Sequence, residues 1–176
     1  MEIEAKFALD AAETARLRAL LGAPTRSGPQ RDVYLATAGL PVALRVRQDG
    51  DKACVTLKAG FEKVAGIRVR EEWEPAIEPE QLDTWLTVFT RLGFPPGEVV
   101  EKHRDSWELP NGVHVVIDLI SGLGSYCEVE AVADERDATL ARLEATIARL
   151  GLAGHPRITR SYRDLLRDAR VSGTLV

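Results

Sequence analysis

The sequence predicts an α+β fold, with about eight strands in a mostly antiparallel order and helices before, within and after them. Two observations support this prediction. Charged and apolar residues alternate with a period of two in many separate segments, as they do along amphipathic strands. Turn residues separate several of these segments, and apolar residues at helical spacing mark others as helices.

The first half of the chain begins with a strand and a helix. In "MEIEAKF" three charges alternate with three apolar groups, which predicts a strand with one ionic face. Asp10 and Glu13 resemble a capping box, so a helix is expected from there until Gly22 and Pro24 end it. Residues 22–31 are predicted to be a loop. A short strand, "DVYLAT", follows, and then "VALRVRQDGDKACVTLK" forms a hairpin with Asp49-Gly50 at its turn.

The second half repeats the alternation. "AGIRVREEWEP" is a strand, and "PEQLDTWLTVFTRLG" is a helix because its apolar residues form a stripe. "VVEKHRDSWEL", "VHVVIDLI" and "GLGSYCEVEAVA" are three further strands. Two helices, at roughly 135–150 and 159–170, close the chain. No linker interrupts the pattern, so residues 1–176 are predicted to form a single domain.

Composition excludes several classes of protein. The net charge of −4 argues against broad binding of nucleic acid or acidic membranes. The longest apolar runs are too short to span a bilayer, and the N-terminus lacks the pattern of a secretory signal. Cys54 and Cys127 have no metal-type spacing and indicate a reducing compartment, so a cytoplasmic location is expected.

The strand faces are unusually ionic. Glu-x-Glu occurs three times in a strand context, and the basic residues share faces with these pairs. One interpretation is a solvated outer face covered with cross-strand ion pairs. The alternative is a sheet that curls so that the ionic faces line a lumen. The large number of charged residues on these faces favours the lumen, because a solvated face would contain more Ser, Thr, Asn and Gln.

Like charges on the walls of such a lumen would repel one another when the lumen is empty. Two like charges ~4 Å apart repel by roughly 4 kcal/mol at an intermediate dielectric. A cation would relieve the carboxylates, and their oxygen ligands suit Mg²⁺ or Mn²⁺. A polyanion would relieve the arginines and lysines, which suit phosphate oxygens. The residues alone therefore predict a metal-assisted phosphate site on a curved sheet.

Seven motifs, in order, resemble those of the CYTH domain, the triphosphate tunnel metalloenzyme superfamily. They are Glu2-x-Glu4-x-Lys6, "DVYL", "ALRVR", "VTLK", "REEWE", "GLGSYCEVE" and "RSYRDLL". The family includes thiamine triphosphatases, inorganic tripolyphosphatases and class IV adenylate cyclases. The resemblance implies an eight-stranded antiparallel β tunnel, a closed or nearly closed barrel that binds triphosphate inside.

The resemblance also implies roles for individual residues. The implied metal ligands are Glu2, Glu4, Glu128 and Glu130; Asp118, the seventh carboxylate on these faces, is a further candidate ligand. The implied phosphate-binding residues are Lys6, Arg45, Arg47, Arg68, Arg70, Lys102 and Arg104, with Arg157 or Arg160 capping the tunnel. The implied catalytic residues are Lys58, its partner Tyr34, Glu72 and Glu74. Two residues depart from the family pattern: Leu35 stands where an aromatic is usual, and Arg160 where Lys is common.

The expected function is Mg²⁺- or Mn²⁺-dependent hydrolysis of a triphosphate of the tripolyphosphate or thiamine triphosphate type. The lumen offers few groups for recognising a base, which favours hydrolysis over cyclisation. Two alternatives stay open: ATP cyclisation like that of class IV adenylate cyclases, and a non-catalytic module that binds polyphosphate or nucleotide. The expected partner is a small-molecule triphosphate, with no nucleic acid and no membrane. The oligomeric state is left open, with a homodimer as one alternative.

Overall fold

A computed structural model describes residues 1–132 and 135–173, so residues 133–134 and 174–176 of the predicted domain lie outside the description. In chain order the elements are β1 (Glu2–Leu9), α1 (Ala11–Leu21), β2 (Arg26–Leu35), β3 (Ala43–Asp49), β4 (Lys52–Val64), β5 (Ile67–Trp73), β6 (Ala76–Ile77), a 3-10 helix (Pro79–Gln81), α2 (Leu82–Arg91), β7 (Pro96–Glu108), β8 (His114–Ile120), β9 (Gly124–Val132), α3 (Arg136–Arg149) and α4 (Tyr162–Val171). The predicted α+β class is confirmed.

Eight strands close into an antiparallel barrel. Their order around the barrel is β3-β2-β7-β8-β9-β1-β5-β4, and β4 pairs back with β3. The two-residue strand β6 adds to β4 outside this ring. Closure gives each of the eight strands a partner on both sides, which removes free sheet edges. The predicted eight-stranded antiparallel tunnel with flanking helices is therefore confirmed.

The apolar strand faces point outward, under the helices. The outer faces of β1, β5, β8 and β9 pack against α1 and α3 in the largest core cluster, which includes Phe7, Ile117 and Ile147. A second cluster packs α2 on the outer faces of β2, β3 and β4 through Trp85 and Phe89. Each large apolar side chain fully buried in this way contributes about 1.5–3 kcal/mol. Because strand side chains alternate, this burial directs the charged residues inward.

Helix α4 covers part of one barrel end. Inward-facing Tyr34, Ile120 and Tyr126 near the ends of β2, β8 and β9 form a core cluster with Tyr162 and Leu166 of α4. The chain before α4 is tied to β1, because the Ile158 N–H donates to the Lys6 carbonyl at 2.8 Å. The first turn of α4 is thereby held against the interior of the barrel.

Three boundaries differ from the prediction. Residues 26–31 are strand rather than loop, because they pair with β7 from Arg26↔Ser106 onward. Strand β4 continues to Val64 and pairs with the start of β5, although Gly60 weakens the strand pattern there. Helix α4 begins at Tyr162 because the Ser161 side chain caps it, accepting from the Asp164 N–H at 3.2 Å. Among the described residues, no helix has the length and apolar character needed to cross a bilayer.

We expect Gly66→Ala to lower the free energy of unfolding by about 1–2 kcal/mol. Gly66 has φ +79°, and a Cβ there would lie 3.1 Å from the Arg157 Cδ. Gly28→Ala is the control, because Gly28 has neither a positive φ nor any atom within 4 Å of an added Cβ. Urea denaturation of both variants measures the difference; equal stabilities would contradict the strain at Gly66.

Candidate functional site

The barrel encloses a cavity of about 770 Å³, counted out to its open mouth. Its lining is almost wholly charged and comes from β1, β2, β3, β4, β5 and the residue after it, β7, β9 and the start of α4. The charged lining residues are Glu2, Glu4, Lys6, Arg45, Arg47, Lys58, Arg68, Arg70, Glu72, Glu74, Lys102, Arg104, Glu128, Glu130 and Arg163. The ionic faces thus line a lumen and do not form an outer solvated surface.

Strand register brings the carboxylates of β1 and β9 together. Glu4 pairs directly with Glu130, and Lys6 pairs with Glu128. All of these side chains point inward, because apolar Ile3, Ala5 and Phe7 occupy the alternate positions. The result is an acidic group on one wall of the cavity, formed by Glu2, Glu4, Glu128 and Glu130.

Three of these four carboxylates are held by basic side chains. Lys58 Nζ lies 2.9 Å from Glu2, and Arg68 and Arg70 both bind Glu4. Glu128 accepts from Arg104 at 2.8 Å and lies 3.0 Å from Lys6 Nζ. Burial would raise the pKa of Glu2, Glu4 and Glu128, but the neighbouring cations outweigh it and hold each pKa below its usual value. These carboxylates are therefore ionised and paired.

Glu130 is the exception. Its side chain makes no hydrogen bond or ion pair with any described residue. Burial raises the pKa of Glu130 to about 7, and repulsion from Glu2, Glu128 and Glu4 adds to the rise, although Arg104 opposes it. Glu130 thus lies close to other carboxylates and has no basic partner among the described residues. A bound cation would stabilise the ionised form of Glu130 in this position.

Two deeply buried aspartates hold the basic side chains in place. Asp32 is 1% exposed; it accepts from Arg47 Nε at 2.6 Å and from Arg45 Nη1 at 3.3 Å. Asp118 is fully buried and accepts from Arg104 Nε at 2.7 Å, with Lys102 Nζ at 3.4 Å. Neither aspartate lines the cavity. Asp118, predicted as a metal ligand, thus pairs with Arg104 and Lys102 and lies outside the lining of the cavity.

The predicted catalytic residues line the cavity but are arranged differently from the expectation. Lys58 Nζ contacts Glu2 and Glu72, the latter at 3.0 Å, whereas the Tyr34 hydroxyl accepts from Arg45 Nη1 at 3.5 Å. No contact joins Tyr34 to Lys58 in the described part of the chain. Burial raises the pKa of Glu72 to about 7, and the adjacent Glu2 adds to the rise. Glu74 accepts from the Thr56 hydroxyl at 2.7 Å.

The two arginines predicted to cap the tunnel do not line the cavity. Arg157 donates to Glu144 and to the Ala65 carbonyl, and so joins α3 to the β4–β5 turn. Arg160 binds Asp168, and its side chain is 46% exposed. Ser161, Tyr162 and Arg163, at the start of α4, line the cavity in their place. The sequence could have indicated the start of α4, because Ser161 is a typical N-cap residue. It could not indicate that the Arg163 side chain lines the cavity, because that depends on how α4 packs.

The donor set suits a hard cation in chemistry, since it consists of carboxylate oxygens and includes the unpaired Glu130. In the described residues, no three acidic, histidine or cysteine side chains are already arranged to hold a metal. The ion pairs explain this, because Glu2, Glu4 and Glu128 are turned toward lysines and arginines. The residues present therefore fit a metal ion once those cations are engaged elsewhere.

Comparisons with known proteins agree with this architecture. PH1819 from Pyrococcus horikoshii OT3 is 25% identical with a TM-score of 0.82, and the alignment covers 97% of this chain and 100% of that chain. PH1012 from the same organism is also 25% identical, with a TM-score of 0.79 and coverage of 94% and 99%. HpAC1 from Hippeastrum, described as a putative adenylyl cyclase with a dominant triphosphatase activity, is 20% identical, with a TM-score of 0.73 and 96% of each chain covered. The search of curated proteins gave no match.

A protein-family model adds the remaining observation. The model of the CYTH domain matches residues 1–162, which is most of the chain. The triphosphate tunnel metalloenzymes of that family are metal dependent in general, and the family includes triphosphatases. The chain therefore belongs to the CYTH domain family.

Proposed function

We propose that this protein is a divalent-metal-dependent hydrolase of a triphosphate, of the inorganic tripolyphosphate or thiamine triphosphate type. The observation that carries the proposal is the cavity itself, in which nine basic and six acidic side chains line one enclosed space. A linear polyanion together with a cation would match both signs of this lining. An apolar ligand would offer no group to pair with these charges and would displace water from them.

Binding would exchange the existing ion pairs for new ones. The phosphate oxygens would be bound by Lys6, Arg45, Arg47, Arg68, Arg70, Lys102 and Arg104. As these cations turn to the phosphates, the carboxylates of Glu2, Glu4, Glu128 and Glu130 become available to hold Mg²⁺ or Mn²⁺. Such an ion, when bound, supplies charge neutralisation at the phosphoryl oxygens.

Hydrolysis requires a water molecule aligned with the terminal phosphorus. Glu72 is suited to orient that water and to take its proton, because a carboxylate with a pKa of about 7 is half ionised at neutral pH. The water oxygen forms the new P–O bond as the bond to the leaving diphosphate breaks. Lys58, 3.0 Å from Glu72, and the nearby arginines stabilise the charge that develops on the leaving group.

The lining also bears on substrate size. Specific recognition of a purine would require a flat apolar slot with placed donors and acceptors. Among the described lining residues the aromatic ones are Tyr34 and Tyr162, and both pack in the cluster beneath α4. This favours a linear or small-headed triphosphate. The Hippeastrum protein, described by its dominant triphosphatase activity, supports hydrolysis as a chemistry that this fold accommodates.

Product analysis tests the proposal. The purified protein is incubated with Mg²⁺ or Mn²⁺ and, separately, with tripolyphosphate, thiamine triphosphate and ATP, and the products are resolved by chromatography. We expect orthophosphate from tripolyphosphate or thiamine triphosphate, and loss of turnover in Glu72→Gln prepared in the same way. Cyclic AMP and pyrophosphate from ATP, with tripolyphosphate untouched, would favour the cyclase. Binding without turnover of any substrate would favour the non-catalytic module.

A further inference from the structure

Arg163 is a cavity cation that the strand motifs do not include. It stands in the first turn of α4, one residue after Tyr162, and it lines the cavity together with Ser161 and Tyr162. The guanidinium carbon lies 5.4 Å from the centroid of the Tyr34 ring. Its side chain is 27% exposed, so Arg163 lies at the rim of the cavity rather than in its depth.

Arg163 differs from the other cavity cations in its partners. The eight lysines and arginines on the strands are each within 4.0 Å of a carboxylate of the barrel interior, as Lys6 is of Glu128 and Arg104 is of Asp118. Within the described residues, Arg163 makes no such pair. Its Nε is buried without a hydrogen-bond partner, and the nearest acid is Asp164, 3.6 Å away. Asp164 is itself engaged by Ser161 at 2.6 Å and Arg167 at 3.0 Å.

A second donor at the same place is also unsatisfied. Tyr162 is 5% exposed and lines the cavity, yet its buried hydroxyl has no hydrogen-bond partner among the described residues. The ammonium of Lys6 lies 3.9 Å from the centroid of the Tyr162 ring. The N-terminus of this ten-residue helix adds the positive end of its dipole, with the Asp164 N–H already capped by Ser161. All of these features favour an anion at the start of α4.

We propose that Arg163 binds an end phosphate of the substrate, in a subsite formed by the first turn of α4. This inference rests on the proposed function, and it names a substrate-binding residue on α4 beyond the charged strand positions. A phosphate can reach Arg163 without displacing an interior carboxylate, whereas binding at the strand cations requires such an exchange. The guanidinium can donate two parallel hydrogen bonds to two oxygens of an unsubstituted phosphate.

The test is calorimetric titration of tripolyphosphate, without metal, into wild type, Arg163→Gln, Arg163→Lys and Arg167→Gln. Loss of a charge-assisted contact should weaken binding to Arg163→Gln by about 10- to 100-fold. Arg163→Lys should fall between, because it keeps the charge and loses the planar fork. Arg167→Gln is the matched control: Arg167 is on the same helix, is 58% exposed and does not line the cavity. Its affinity should stay within about twofold of wild type.

Thermal unfolding without ligand should differ little between wild type and Arg163→Gln, since the ion pair of this arginine with Asp164, at 3.6 Å, is partly exposed. Wild-type binding with unchanged affinity in Arg163→Gln would overturn the role of Arg163 and leave the proposed function standing. Equal losses in Arg163→Gln and Arg167→Gln would also overturn it, because the effect would then be one of overall charge. If wild type binds tripolyphosphate only with Mg²⁺, the same comparison of variants is made in Mg²⁺. Failure of wild type to bind tripolyphosphate both without metal and with Mg²⁺ would overturn both this inference and the proposed function.

Discussion

Replacing Asp32 by asparagine is expected to lower the free energy of unfolding by about 3–5 kcal/mol. Asp32 is almost completely buried and accepts hydrogen bonds from both Arg45 and Arg47. Removing its charge leaves two buried guanidinium groups without an adequate counter-ion. Breaking a buried pair from one side costs far more than losing an exposed pair, because the remaining charge stays desolvated.

The effect of Asp32→Asn should be nearly constant between pH 5 and 8. Burial would raise the pKa of Asp32, but Arg45 and Arg47 hold it far below its ordinary range. A carboxylate with a depressed folded pKa contributes stability above its unfolded pKa of about 3.9, and this stability is lost only as the pH falls toward the folded value. The aspartate therefore remains fully ionised throughout the tested window.

Asp49→Asn is the matched control for Asp32→Asn. Asp49 also pairs with an arginine, Arg26, at 2.8 Å, but that arginine is 46% exposed. Exposed pairs of this kind contribute at most about 1 kcal/mol. Urea denaturation at pH 5, 7 and 8 gives the free energies. Losses of similar size in the two variants would show that Asp32 does not hold a buried arginine pair.

The second large effect concerns Glu4 on β1 and Glu130 on β9, which are direct neighbours across the two strands and which we expect to differ in their contribution to stability. Glu4→Gln and Glu130→Gln should each reduce metal-dependent turnover by about 100-fold or more, because each removes a proposed metal ligand. Their effects on the metal-free protein should be opposite. Glu4→Gln leaves Arg68 and Arg70 without a full charge partner and should lower the free energy of unfolding by about 3 kcal/mol.

Glu130→Gln should leave the metal-free stability unchanged or raise it by about 1–2 kcal/mol. No described residue pairs with Glu130, and the neighbouring Glu2, Glu4 and Glu128 repel its charge. Urea denaturation in a chelator, followed by melts with and without Mn²⁺, makes the comparison. Destabilisation of both variants to the same extent would contradict the pairing described here. Full activity in Glu130→Gln would remove this residue from the proposed metal site.

The sequence alone could separate the lumen residues from the core residues. The period-two alternation of β1, of β3 and of β5 through Glu72 divides inward charges from outward apolar groups without any tertiary information. The alternation works because a strand has only two faces and the helices bury one of them. The order of the motifs likewise indicated the fold, since six of the seven motifs fall on separate strands of the ring and the seventh lies at the start of α4.

The pairing between acidic and basic side chains, by contrast, was decided by the tertiary structure. The sequence contains Asp32, Asp118 and Glu130 as similar acids, yet the first two are buried beneath cations and the third has no partner among the described residues. Strand register and tilt decide these pairings, and neither is encoded within a single strand. The same reason explains why residues 26–31 became strand: their hydrogen-bond partners lie about 75 residues away, on β7.

Helix α4 shows most clearly which features the sequence could predict and which only the tertiary structure decided. The sequence by itself predicted a helix at roughly 159–170 with arginines near its start, and the structure begins that helix at Tyr162. It could not determine that Arg157 turns to Glu144, that Arg160 turns to Asp168, and that Arg163 alone of these three lines the cavity. Side-chain direction at a helix terminus depends on how the helix packs. Here the packing is decided by Tyr162 and Leu166, which bury themselves against side chains from four different strands of the barrel.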